Sequence, residues 1–279
     1  MDKRNIRGLM IKVFYGRLKK LLLYHQTINE KIKIALTCLY FPFYSFFNKK
    51  IGFTLMIPTL RGWHALTRGK FFPINNIGLD SLEYFRYFVP NKAGIVFDVG
   101  GELGLEATQF SRMVGKNGKI YVFECFPAHI EKLKCIAQER KNILVIENAC
   151  WNFKTNLVFY QGHTPGSNTA IPDSTGQRGQ PLANTRADKL IVAADTLDNF
   201  WTELTNKKQI DFLKMDIEGA ELEALEGASE LLKNTNKVVI AAYHRRDGKP
   251  TAEKVEKSLL KAGFKTKIDE NLHVYGIRE

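Results

Sequence analysis

The chain has 279 residues, 44% hydrophobic and 25% charged, with a net charge of +12; that balance is ordinary for a globular protein and excludes an intrinsically disordered one. The length allows one large α/β domain with an appendage, or two small domains. Residues 1–50 hold 11 Lys/Arg against Asp2 and Glu30, a local +9 that leaves only +3 for the other 229 residues, so the main domain lacks the basic footprint of a nucleic-acid binder.

The N-terminal segment interleaves Arg4, Arg7, Lys12, Arg17, Lys19 and Lys20 with Ile6, Leu9, Met10, Val13, Phe14, Leu18, Leu21 and Leu22. Apolar positions three and four apart predict an amphipathic helix with a cationic face. Ile34–Asn48, IALTCLYFPFYSFFN, carries no charge. It is shorter than the roughly 20 residues that span a bilayer, and Pro42 interrupts it. The basic region ahead of it is too long for a signal peptide, and no small-x-small cleavage site follows. Residues 1–50 therefore read as an attachment to an anionic membrane surface; a helix packed on the main domain and a spanning segment are the alternatives. Residues 51–90 read as a lead-in, and 91–279 as the main domain. Cys38, Cys125, Cys135 and Cys150 show no C-x-x-C spacing, so no metal site is expected. Free cysteines of this kind indicate a reduced, cytoplasmic compartment, with the first fifty residues peripheral on the cytoplasmic face of the membrane.

After Pro90 strands and helices alternate. GIVFDVG (94–100) is an apolar run of the buried parallel type, followed by a helix over 103–114. KIYVFE (119–124) is a second strand, Pro127 to Arg140 a helix with Pro in its first turn, and ILVIEN (143–148) a third strand. NLVFY (156–160) is a strand with no assigned neighbour. Residues 161–189 are rich in Gly, Pro, Ser, Thr and Asn, the composition of a lid, a binding loop or an insertion. Order returns with a strand at 190–194, a short helix at 197–204, the strand QIDFLKM (209–215), a helix over 220–232, the strand KVVIAAYH (237–244) and a helix over 251–262. FKTKIDENLHVYGIR ends the chain as an antiparallel hairpin across Asp-Glu-Asn. The order predicts an α/β fold: a doubly wound, mostly parallel, Rossmann-like sheet with that hairpin at its edge.

The first strand ends D-V-G-G-E-L-G. Gly100 and Gly104 flank a strand-to-helix turn in which backbone can approach a ligand. Glu124 stands at the end of the second strand, 24 residues after Gly100, where an acid can accept the ribose hydroxyls of an adenosine. Asp98 and Glu102 make the turn acidic, which disfavours a phosphate and suits the cationic end of S-adenosyl-L-methionine. The missing G-x-G-x-x-G and the same acidity argue against a nicotinamide-dependent oxidoreductase. Asn148, ending the third strand, is placed to meet an adenine ring, and Trp151 to stack on it or to fill the core.

DVGGELGLEA, VFECFP and FLKMDIEGAELEALEGA, in that order, resemble the FkbM family of S-adenosylmethionine-dependent methyltransferases over roughly residues 70–277. The D-x-E-G-x-E run is the most specific of the three. The chain departs from the family's usual Ala-Asn at Gly101-Glu102 and from its Glu-Pro at Glu124-Cys125. The resemblance implies a class I methyltransferase fold and O-methylation, often of sugars or secondary metabolites. A glycan, lipid-linked saccharide or small-molecule hydroxyl is thus the expected acceptor; a catalytically silent membrane-docking adaptor is the rival from another class.

Asp216 ends an apolar strand beside the expected cleft, where an isolated carboxylate is costly unless it binds something. There it can accept a substrate hydroxyl proton or hold a cation. Glu218 and His244 are the further catalytic candidates, His244 because its strand ends at the same sheet edge. Glu221, Glu223 and Glu226 read as favourable negative charge at the start of the following helix. If residues 1–50 attach to membranes, the full chain should co-sediment with anionic vesicles and be partly released by high salt, which screens exposed charges over about 8–10 Å. A chain starting at Ile51 should stay in solution and still bind S-adenosylmethionine; equal partitioning of the two would sink the anchor.

Overall fold

The computed structural model describes residues 55–59, 62–67, 70–74, 81–162, 168–172, 174–176 and 189–278. The basic segment 1–50 lies outside them. Among the described residues no helix is long and apolar enough to cross a membrane.

The chain divides into two compact units, the first ending at Tyr87 and the second starting at Phe88. In the first, β1 (Leu55–Thr59), β2 (Gly62–Thr67) and β3 (Lys70–Ile74) form an antiparallel sheet in that order, where the sequence indicated only a lead-in.

The second unit is built on seven strands: β4 (Ile95–Val99), β5 (Lys119–Phe123), β6 (Ile143–Ile146), β10 (Ile210–Met215), β11 (Thr235–Ala241), β14 (Lys265–Ile268) and β15 (His273–Ile277). Their spatial order is β14-β15-β11-β10-β4-β5-β6. Neighbours from β6 to β11 are parallel, and β15 runs antiparallel to both β11 and β14. Helices α1 (Leu105–Val114), α2 (Pro127–Glu139), α3 (Leu197–Thr205), α4 (Glu221–Glu226), α5 (Ser229–Lys233) and α6 (Ala252–Lys261) complete the unit. Alternate strand residues point to opposite faces. Phe97, Val99, Tyr121, Phe123, Leu213 and Met215 share a core with Phe200, Leu225, Leu231 and Val255 of α3 to α6. On the other face Phe212 meets Phe110 of α1, with ring centroids 5.3 Å apart. Burial on both faces is why β4, β5 and β10 read as largely apolar runs, interrupted by Asp98, Asp211 and Lys214.

Two local predictions change. The helix expected over 220–232 is α4 and α5, broken at Gly227-Ala228. A Cβ at Gly227 would lie 2.2 Å from the Trp151 carbonyl oxygen, and the Asp198 carboxylate accepts the backbone N–H groups of Glu230 and Leu231 at 3.1 and 2.7 Å. The new N-terminus is thus satisfied by a side chain from elsewhere in the fold. The strands at 156–160 and 190–194 do not join the main sheet. β8 (Thr155–Tyr160) and β9 (Lys189–Asp195) pair antiparallel, and β7 (Ala149–Cys150) lies parallel to β9, in a separate three-stranded sheet.

Asp269 organises the terminal hairpin. Its carboxylate accepts from the backbone N–H groups of Asn271 and His273 and from the Tyr275 hydroxyl, at 3.0, 2.9 and 3.0 Å. Burial alone would raise its pKa; these bonds and the charge of His273 outweigh burial and hold it well below the usual carboxylate range. A depressed folded pKa gives stability that is present above the unfolded pKa near 4 and lost as the pH falls below it. Asp269→Ala should therefore lower stability at pH 7 by about 1.5–3 kcal/mol, the range for hydrogen bonds to charged groups. In denaturant titrations the difference from wild type should shrink toward pH 2; a pH-independent difference would remove the charge from the explanation.

Candidate active site

The sheet order reverses between β4 and β10, since the chain steps outward from β4 to β6 and then returns to the other side of β4. Loops leaving adjacent strand tips at such a switch point diverge and open a crevice. Here the tips also touch. The Asp216 N–H donates to the Val99 carbonyl at 2.9 Å, and a Cβ at Gly100, where φ is +85°, would lie 1.8 Å from the Asp216 carbonyl oxygen. Only glycine fits there. Gly104 (φ +78°) closes the turn as the residue preceding α1, packed against Leu133 and Ile136.

The sequence places Asp98 at the cofactor's cationic end. In the fold its carboxylate is wholly buried, with Lys214 Nζ 3.2 Å from Oδ1; burial raises its pKa and Lys214 opposes that. Lys214 also donates to the Gly100 carbonyl, so Asp98 supports the turn from behind. Glu106 on α1 is drawn into the same field, and burial pushes its carboxyl up to about 7. Glu124 ties the turn to the end of β5. Its Oε1 accepts the N–H groups of Cys125 and Phe126 at 2.8 and 2.9 Å, and its Oε2 that of Glu102 at 2.9 Å. His129 Nδ1 lies 3.6 Å from Oε2, and the Glu124 carboxylate beside it raises the His129 pKa. These donors use most of the roughly four acceptor positions of a carboxylate, so ribose hydroxyls there must share or displace them. Asn148 is half-buried and lines a hollow of about 370 Å³ with Lys154, Asn156, Asp195 and Glu203. Trp151 packs on the apolar cluster of the small sheet.

Asp216, Glu218 and His244 do converge. His244 Nε2 lies 3.3 Å from Glu218 Oε2 and 3.8 Å from Asp216 Oδ1. The histidine side chain has no exposed surface, whereas those of Asp216 and Glu218 keep 19% and 20%. Burial pushes the Glu218 carboxyl up to about 6, with His244 acting against it. Burial would lower the His244 pKa, but Glu221 and Glu218 carry it well above the ordinary imidazole value.

The sequence reading missed four contributors. Glu221, taken for helix-end charge, is wholly buried. Its Oε1 lies 2.9 Å from His244 Nδ1 and accepts the N–H groups of Ile217 and Gly219 at 3.3 and 3.1 Å. Tyr243 donates to Asp216 Oδ2 at 3.3 Å, and its ring sits 4.4 Å from that of His244. Thr169 and Ser174, from the long polar segment, donate to the Glu218 carbonyl at 2.7 and 3.4 Å. They support Glu218 in a left-handed conformation, φ +56°, which costs a non-glycine residue about 1–3 kcal/mol. The third acid of D-x-E-G-x-E was the available signal for Glu221; a polar segment far along the chain gave none for Thr169 and Ser174.

The sheet order, the antiparallel β15 and the glycine turn at the switch point define a class I S-adenosylmethionine-dependent methyltransferase fold. The methyltransferase FkbM domain model matches residues 98–266, and the chain belongs to that family, which makes S-adenosylmethionine its cofactor. Similar solved structures include the following three. The FkbM methyltransferase of Methylobacillus flagellatus KT is 16% identical with a TM-score of 0.49; the match covers 70% of this chain and 47% of that one, so this chain spans about half of that protein's length. Aeropyrum pernix fibrillarin with natively bound S-adenosyl-L-methionine is 12% identical over 77% of this chain and 93% of that one, with a TM-score of 0.43. SMU.1697c, a putative methyltransferase from Streptococcus mutans in complex with SAH, is 12% identical over 68% and 92%, with a TM-score of 0.37. None of the curated protein sequences matches the chain.

If Glu124 exchanges its backbone donors for the ribose hydroxyls, Glu124→Ala should weaken S-adenosylmethionine binding by about 1.5–3 kcal/mol in calorimetry. Unchanged affinity in a folded variant would confine Glu124 to holding the turn.

Proposed function

We propose that the protein transfers the methyl group of S-adenosylmethionine to a hydroxyl oxygen of a glycan, a lipid-linked saccharide or a secondary metabolite. The observation that carries this reading is the convergence of Asp216, Glu218 and His244 at the strand tip whose backbone touches the glycine turn. S-adenosylmethionine held on that turn would supply an electrophilic methyl group beside these carboxylates. The acceptor oxygen attacks the methyl carbon; the C–S electron pair passes to sulfur, leaving S-adenosylhomocysteine, and the hydroxyl proton leaves toward Asp216. Holding donor and acceptor in line supplies most of the catalysis, and proton removal adds about 10²–10⁴-fold. His244 has no exposed surface, so it acts from beneath the carboxylates and not on the acceptor directly. Gly100, Gly104 and Glu124 hold the cofactor, Asp98 supports them through Lys214, and Asn148 is assigned to the adenine side.

The acceptor class rests on the family and on the first fifty residues, whose charge and aromatic run suit a membrane surface where lipid-linked saccharides reside. Asp216→Asn keeps size and burial while removing the charge. It should leave S-adenosylmethionine affinity near normal and cut methyl transfer by about 10²-fold or more, read as methylated product by mass spectrometry of lipid and glycan extracts. Full turnover would return Asp216 to a structural role.

A further inference from the structure

We infer that Asp216, Glu218 and His244 form a divalent-cation site in which Glu221 orients the histidine; the inference deepens the reading of this cleft as a methyl-transfer site and rests on it. Chain spacing conceals the set, because two ligands lie on one strand-end turn and the third on the next. The fold brings one donor atom from each within 4.8 Å of the others.

The first support is spacing. Two ligands about 2.1 Å from a shared ion stand about 3.0 Å apart at an octahedral angle and about 3.4 Å at a tetrahedral one. The His244–Glu218 separation of 3.3 Å falls in that interval, and the His244–Asp216 separation of 3.8 Å lies just beyond it. The second is the histidine. It is wholly buried, and neither ring nitrogen meets hydrogen-bond geometry, although Nε2 is aimed between the two carboxylates. The third is Glu221, whose Oε1 stands 2.9 Å from Nδ1 and is fixed by two backbone N–H groups. A carboxylate on the far nitrogen fixes the orientation of a ligating imidazole.

Charge points the same way. Three carboxylates surround one imidazole in a largely buried pocket. An imidazolium leaves two net negative charges there, whereas a divalent ion on a neutral ring leaves one, and uncompensated buried charge is strongly destabilising. Two carboxylates with one imidazole favour Mn²⁺ or Mg²⁺ over soft metals. Asp216 and Glu218 keep part of their surface, so open coordination positions face the cleft. An acceptor hydroxyl bound there becomes more acidic. With Asp216 engaged by the ion, the proton passes to water instead of to that carboxylate, and the oxygen pair forms the bond to the methyl carbon as the C–S pair passes to sulfur.

The test is a Mn²⁺ titration of the chelator-treated full chain followed by electron paramagnetic resonance, with calorimetric S-adenosylmethionine binding measured on the same sample. One Mn²⁺ per chain is expected, with affinity about tenfold to a hundredfold lower in Glu218→Gln and in Glu221→Gln and cofactor affinity retained. Glu218 stands at a partly exposed tip, so its variant serves even if substitution of buried His244 prevents folding. A wild-type chain that binds no Mn²⁺, or whose affinity neither variant changes, overturns the site. Cofactor binding without Mn²⁺ binding would overturn the cation alone, whereas absence of both would also count against the methyl-transfer reading.

Discussion

A lysine ammonium buried between two strand tips holds the cleft in shape. Lys214 sits at the end of β10, 3% exposed, against the wholly buried Asp98 of β4. Burial by itself would lower its pKa; Asp98, Glu106 and Asp216 more than reverse that, so the cation persists. Removing one partner of such a pair costs about 3–5 kcal/mol, because the other is left charged and dry. Lys214 also takes the Gly100 carbonyl. One side chain thereby ties the paired tips of β4 and β10 to the course of the cofactor turn between them.

The acidic tip of β10 depends on that placement. With Asp216 backbone pressed on Gly100, the chain must turn away sharply, and it does so through Glu218 and Gly219 with φ of +56° and +99°. Such a turn survives where its surroundings over-determine it. Thr169 and Ser174 hold the Glu218 carbonyl, and the Thr175 backbone pairs with Arg245. Arg245 opens a small hairpin, β12 (Arg245–Arg246) and β13 (Lys249–Pro250), turned by Asp247-Gly248 with both φ positive, as a two-residue hairpin requires. His244 is thus clamped from both sides of the chain. The long polar segment, in the part described, contributes walls to this tip.

Much of the architecture was legible because its causes are local. A parallel strand covered on both faces is mostly apolar, so 94–100, 119–124 and 209–215 announced themselves, as did the helices between them and the terminal hairpin. The break between α4 and α5 was not legible. Its cause is the Trp151 carbonyl and the Asp198 carboxylate, which lie far away in sequence. The pairing of β8 with β9 was hidden for the same reason, since the partner follows a long polar insertion.

The site divides along the same line. The sequence by itself determined the class of fold, the glycine turn, the acid at the end of β5 and the acidic end of β10, because each is a short motif whose chemistry depends on immediate neighbours. Only the tertiary structure decided which acids act together. Lys214 gains its Asp98 partner only when β4 is laid beside it, and Glu221 looked like a helix-end charge until the next strand delivered His244 to it. Ion pairs and imidazole contacts act over a few ångströms of space. Positions 98 and 214, or 221 and 244, acquire that proximity only when the sheet is assembled.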